Sequence, residues 1–172
     1  VAGDVWLQST SNSFNDSASL IDGTYWNNVT THEIGHALGL AHTHEAETIG
    51  GTTYGTNTEL GSVHNSLSYS VMAYPEYVGG AISLVSIAYK PTTLMIDDIA
   101  ALQYLYGVDT STNSGDTTYT LSSFSDDNLD TIYASIWDAG GTDTFSWSDQ
   151  STNASINLNG GSFSCFGNIT GV

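Results

Sequence analysis

Cationic side chains are almost missing from this sequence: its 172 residues hold 1 Lys or Arg against 18 Asp and Glu, a formal charge of −17. With nothing to neutralise phosphates, an electrostatic nucleic-acid binder is excluded. Docking on anionic membranes is disfavoured for the same reason. Cysteine is equally scarce. Cys165 stands alone, so no intrachain disulfide can form, and its expected role is that of a small buried apolar residue. The apolar stretches fall far short of a membrane span. The opening VAGDVWLQST lacks the basic start and apolar run of a signal peptide. Neither absence fixes a compartment.

Aromatic residues, by contrast, are plentiful, with 10 Tyr, 4 Trp and 5 Phe in a chain that is 40% hydrophobic. That is enough to fill a core and is unlike an acidic disordered chain. The length suits one domain or parts of two. So many uncompensated carboxylates repel one another in a compact state, and bound cations are one remedy.

Along the chain, Asp4 to Gln8 reads as a short strand, and Ser9 to Asn28 as a polar surface loop. The apolar positions Val29, Ile34, Ala37 and Leu38 predict a helix from about Asn28 to Leu38, ended by Gly39. Thr43 to Ser70 is polar and without a clear period, and Ala81 to Tyr89 suits a strand or a buried loop. A second helix is predicted over Met95 to Tyr106, with Asp97 and Asp98 in its first turn and Gly107 at its end. Beyond it come short β-like runs, Thr117–Leu121, Thr131–Trp137, Thr144–Trp147 and Ala154–Leu158. The expected fold class is therefore α+β, a mixed segment followed by an all-β one, with a boundary near 107–113.

The chemistry is concentrated in HEIGHALGLAH, residues 32–42. On a helix, residues four apart share a face, so His32 and His36 can bind one metal. Glu33 lies beside the pair, placed to hold a metal-activated water. His42 would leave that face if the helix continued, but a left-handed residue at Gly39 would turn the chain and bring it back. Three neutral imidazoles leave one position open, which is the catalytic arrangement for zinc. The alternative is an amphipathic helix carrying incidental histidines, which the added Gly and third His make improbable. His44 and His64 are expected to be surface or loop histidines, since a fourth imidazole would close the open position.

This string resembles the metzincin clan of zinc endopeptidases, which also carries a Met-containing turn downstream, matched here by SVMAY at 70–74. Within the clan the sequence is most similar to the serralysins, through HEIGHALGLAH, Tyr74, MIDDIAALQYLYG and WDAGGTDTF at 137–145. The resemblance implies that His32, His36 and His42 bind zinc and that Glu33 is the general base. It implies that Met72 forms a floor beneath the metal and that Tyr74 ligates it at rest and swings away to stabilise the oxyanion. Asp98 is similar to the aspartate that braces the Met-turn in matrixins; read alone, it is a dipole-favouring carboxylate at a helix start. Thr43 departs from the family, which usually carries Pro there.

Read alone, NSGDT at 113–117 and DAGGTD at 138–143 are acidic turns between strands. The serralysin resemblance makes Asn113, Gly115, Thr117, Asp138, Gly140, Gly141 and Asp143 candidate calcium ligands, with calcium structural and zinc catalytic. It implies a metzincin core over 1–108 (zinc helix, Met-turn, C-terminal helix) and the start of a calcium-binding β-roll or sandwich over 109–172. It also implies that Gly3 to Gln8 is a substrate-facing edge strand and that the chain is part of a larger protease. The expected function is a secreted, extracellular zinc endopeptidase acting on proteins or peptides, with no nucleic-acid or membrane partner. The alternative is a calcium-stabilised, non-catalytic adhesion or structural module derived from a metzincin.

Overall fold

The computed structural model of the chain describes residues 5, 24–44, 47–49, 52–54, 61–79, 90–120, 133–148 and 151–166. The expected edge strand at Asp4 to Gln8, except Val5, and the segment Ala81 to Tyr89 lie outside these residues. The described residues are mixed α and β. The elements are α1 (Tyr25–Ala37), β1 (Glu47–Ile49), β2 (Thr52–Tyr54), α2 (Gly61–His64), α3 (Ile96–Tyr106), β3 (Thr118–Tyr119), β4 (Thr144–Phe145), β5 (Ala154–Ser155) and β6 (Cys165–Phe166). Among the described residues, no helix is long and apolar enough to cross a membrane.

Helix α1 begins three residues before the expected start. Thr24 caps it, its hydroxyl accepting from the Asn27 N–H at 3.2 Å, so one otherwise orphaned donor is satisfied ahead of the apolar positions. At the other end Gly39 adopts φ 94°. The Leu40 N–H reaches back to the Gly35 carbonyl at 3.0 Å and the Gly39 N–H to His36 at 2.9 Å. This is a Schellman turn, and it needs the left-handed residue that glycine supplies at little cost. Helix α3 matches its expectation to within one residue, with Met95 as the cap.

The polar stretch after Thr43 holds a hairpin that periodicity did not reveal. Its strands pair Ile49 with Thr52 in antiparallel register. The core of the described residues is formed by Leu40, Val71, Met72 and Met95, with Leu94, Ala101, Leu102 and Tyr133 packed against it. It therefore lies between the end of α1, the turn at 70–74 and the start of α3.

The C-terminal strands are shorter than expected. β3 and β4 pair in parallel, Thr118 with Thr144 and Tyr119 with Phe145, and the two rings stack at 5.3 Å. Thr131–Trp137 is not a strand in its described part: Tyr133 makes a single bridge to Pro91 and the rest is irregular. Side-chain bonds replace a ladder there. The Thr93 hydroxyl accepts from the Ser135 N–H at 2.8 Å, which ties residues 133–135 to the entry of α3. Cys165 is half-buried on β6 and not fully enclosed.

The loop leaving α3 is organised by Asp109, whose Oδ1 accepts from the Ser111 N–H at 2.8 Å and the Ser111 hydroxyl at 2.6 Å; Oδ2 accepts from the Thr112 hydroxyl. Those donors, the Ser111 hydroxyl foremost, hold the carboxyl down from 3.8 to about 2. A depressed carboxylate favours the folded loop above its unfolded pKa and loses that contribution as pH falls through its folded one. The loop contacts should therefore weaken between about pH 4 and pH 2. An NMR titration of Asp109 should give a midpoint near 2, rising towards 4 in Ser111→Ala/Thr112→Val; a parent midpoint near 4 contradicts it.

Candidate metal centre

Helix α1 places His32 and His36 one turn apart, their rings meeting edge-on at 4.8 Å. Each ring is oriented by a backbone carbonyl: His32 Nδ1 lies 2.8 Å from the Val71 oxygen and His36 Nδ1 lies 2.9 Å from the Leu40 oxygen. A carbonyl only accepts, so both Nδ1 atoms carry the proton and both Nε2 atoms present lone pairs. The reversal at Gly39 delivers His42 to the same point. Its Nε2 stands 3.1 Å from His32 Nε2 and 3.1 Å from His36 Nε2, and the Tyr74 hydroxyl lies 3.0 Å from it.

One proton on His42 cannot satisfy two facing lone pairs and a phenol together, whereas a cation can. Ligand atoms roughly 2.0–2.1 Å from one tetrahedral zinc stand about 3.3 Å apart. The observed spacings fit that set. Among the described residues, this is the one group of three His, Cys, Asp or Glu ligand atoms within 4.8 Å of one another. Burial holds the His32 pKa below its ordinary 6.5; the Val71 carbonyl opposes this, and His36 and His42 add to the lowering. A lowered pKa keeps the ring neutral, which metal binding requires. Glu33 is exposed beside His32.

The turn at 70–74 is held from behind by Asp98, at the start of α3. Asp98 accepts from the Ser70 hydroxyl at 2.6 Å, the Val71 N–H at 2.8 Å and the Met95 N–H at 2.9 Å. The Ser70 oxygen in turn accepts from the Met72 N–H at 3.0 Å. Burial pushes the Asp98 carboxyl up from 3.8, and the three donors pull it back. Asp98 thus bonds both to the helix start, at Met95, and to the turn, at Ser70 and Val71. Met72, 1% exposed, presses so closely on α1 that a Cβ on Gly35 would sit 2.5 Å from its sulfur.

His64 ends α2 and pairs with Asp97 at 2.8 Å, away from the triad. His44 lies in the turn at 43–44, a loop histidine that is not on the open surface. The ring is half-buried, 4.5 Å from the Tyr74 ring and 5.3 Å from that of His42, because the loop turns inward. Thr43 makes that turn: its hydroxyl donates to Asn65 Oδ1 at 2.6 Å and its N–H, which proline lacks, points to the Met72 carbonyl at 3.4 Å.

Two family models match this chain, that described as "Matrixin" over residues 2–68 and that described as "Peptidase M10 serralysin C terminal" over 98–172. The chain is 37% identical to Serralysin B of Dickeya chrysanthemi over 180 residues, covering 99% of this chain and 36% of that protein. The chain is a serralysin-like metzincin. It is also similar to Metallopeptidase AprA of Pseudomonas marginalis, 36% identical with 94% of this chain and 35% of that protein covered. Serralysin of Proteus mirabilis is 33% identical, with 98% and 35% covered. The chain thus spans about a third of the length of these curated relatives. The Pseudomonas marginalis relative is by its name a metallopeptidase.

The serralysin-type C-terminal residues named from the sequence come together in one knot. Thr117 N–H donates to Asp143 at 3.0 Å, Gly140 N–H to Asp138 at 2.9 Å, and the Thr117 hydroxyl to the Gly115 carbonyl at 3.0 Å. Asn113, at φ 50°, donates to the Tyr119 hydroxyl at 3.2 Å and the Trp137 carbonyl at 3.3 Å. Gly141 packs so closely that a Cβ there would lie 2.6 Å from the Gly115 carbonyl. Asp116 was not singled out, yet it accepts from the Thr142 N–H at 2.8 Å. Tyr119 donates to Asp138 at 2.6 Å; burial first, then that carboxylate, push its pKa up to about 12.

Sequence reasoning missed Val71 and Leu40, whose carbonyls aim two of the three converging histidines, and also Ser70, Gly35 and His44. Only Gly35 left a signal, as a glycine inside a helix pattern, where it costs about 1 kcal/mol against alanine and so needs a packing reason. Asp98→Ala should leave three buried donors without an acceptor, costing on the order of 3 kcal/mol. Freed from Val71, His32 should also hold metal 10–100-fold less tightly, by the usual order for such orienting partners. Denaturant unfolding and zinc competition check both; unchanged zinc affinity would show that the brace does not reach His32.

Proposed function

We propose that this chain is the zinc-binding part of an extracellular endopeptidase that hydrolyses peptide bonds of proteins. The observation that carries this reading is the convergence of His32, His36 and His42 Nε2, with the Tyr74 hydroxyl beside them. Residues 1–108 form the metzincin part and 109–172 open a calcium-binding β-roll.

His32, His36 and His42 would hold the metal, with Tyr74 beside them. Zinc supplies Lewis-acid polarisation and lowers the pKa of a water to about 7. Glu33, exposed next to His32 in sequence, accepts a proton from the attacking water at its carboxylate. It then delivers that proton to the departing amide nitrogen, so the cleaved amine leaves neutral. Tyr74 donates its O–H to the carbonyl oxygen as negative charge develops there. Met72 contributes no chemistry; it fills the space under α1 and fixes its distance from the turn. Asn113, Gly115, Thr117, Asp138, Gly140, Gly141 and Asp143 offer the carboxylate, hydroxyl and carbonyl oxygens that calcium takes, with calcium stiffening the C-terminal segment.

The test compares Glu33→Gln with the parent, zinc content measured for both. The variant should keep zinc and lose casein hydrolysis by about 10²–10⁴-fold, the range for a general base. Full activity in a zinc-loaded variant sinks the assignment. A chelator should silence the parent, and added zinc should restore it.

A further inference from the structure

We propose that His44 is a positioning residue for Tyr74: its imidazole face holds the phenol against the zinc-site histidines. The inference rests on the zinc-centre reading above and goes beyond it. Three histidine rings pack round Tyr74. His44 is the nearest at 4.5 Å, followed by His42 at 5.0 Å and His32 at 6.0 Å. The other two are committed to the metal through Nε2, and the Nδ1 of His32 is tied to Val71. His44 falls outside the metal-ligating group, and its ring packs on the phenol at the shortest of the three distances.

The chain is anchored to make that wall. Thr43 is fixed by its hydroxyl on Asn65 and its N–H towards Met72, so residue 44 follows from a held backbone two positions after His42. The His44 ring lies at 49° to Tyr74 and at 27° to His42, touching the phenol and the ligand whose Nε2 the phenol approaches. Two soft side-chain torsions set where a tyrosine hydroxyl sits. An aromatic neighbour of this kind weights one position over another by about 2- to 10-fold.

The experiment uses the full chain loaded with copper(II) in place of zinc and reads the phenolate-to-copper absorption band, which Tyr74→Phe should abolish. His44→Ala should cut that band about 2- to 10-fold. It should also lower kcat for peptide hydrolysis by a similar factor, with KM little changed. His44→Phe, which keeps a ring face and removes both nitrogens, should retain the band and kcat.

Parent-like band and kcat in His44→Ala would overturn the proposal. So would equal losses in His44→Phe and His44→Ala, because a nitrogen and not the ring face would then be responsible. A parent band insensitive to Tyr74→Phe overturns it too, while leaving the zinc reading intact if one zinc per chain is retained. A parent that binds no zinc removes the zinc reading itself, and this inference with it.

Discussion

The peptide unit of Val71 is gripped from both sides. Its N–H is held by Asp98 from α3 and its carbonyl receives His32 from α1. A buried amide and a buried carboxylate are both costly to leave unpaired, so each of the three elements is kept in register by the other two. The grip converts a polar necessity into geometry. Because the carbonyl can only accept, it assigns the proton of His32 to Nδ1 and turns Nε2 outwards. That orientation sets one of the three converging nitrogens.

His36 is aimed in the same way by a different device. The Schellman turn at Gly39 brings the Leu40 N–H back to Gly35 and, in the same movement, brings the Leu40 carbonyl to His36 Nδ1. Two residues later the reversed chain delivers His42. One helix cap thus ends α1, orients its second histidine and supplies the third. Close approach of the turn makes this compact. The space over Met72 is filled by Gly35 and admits no Cβ without displacement of the sulfur, which explains a glycine in a helix interior despite its entropic cost.

Charge is handled locally. The chain's one cation, Lys90, is 5% exposed and sits 3.6 Å from Glu76, so it screens nothing on the outer surface. Carboxylates after α3 instead recruit backbone N–H groups and hydroxyls, as Asp109, Asp116, Asp138 and Asp143 do. Gly141, where a Cβ would lie 2.6 Å from the Gly115 carbonyl, lets the two stretches of backbone approach closely enough for such bonds to form.

The convergence of the three histidines of 32–42 was legible in the residues because its geometry is local. A helix repeat fixes His32 relative to His36, and a left-handed glycine fixes the return of His42 within six residues. The α3 boundaries were legible for the same reason, through Asp97, Asp98 and Gly107. The start of α1 was missed because a threonine cap outweighed the apolar pattern that set the expected boundary, and Thr131–Trp137 was misread because β-like composition does not choose a partner strand. What aims the histidines was decided only by tertiary structure. Val71 lies 39 residues from His32, and Asp98 lies 27 beyond Val71. The contacts of His44 depend on Thr43 meeting Asn65 and Met72. A backbone carbonyl and a ring face carry no signature in the residue code, so folding alone brings them to the site.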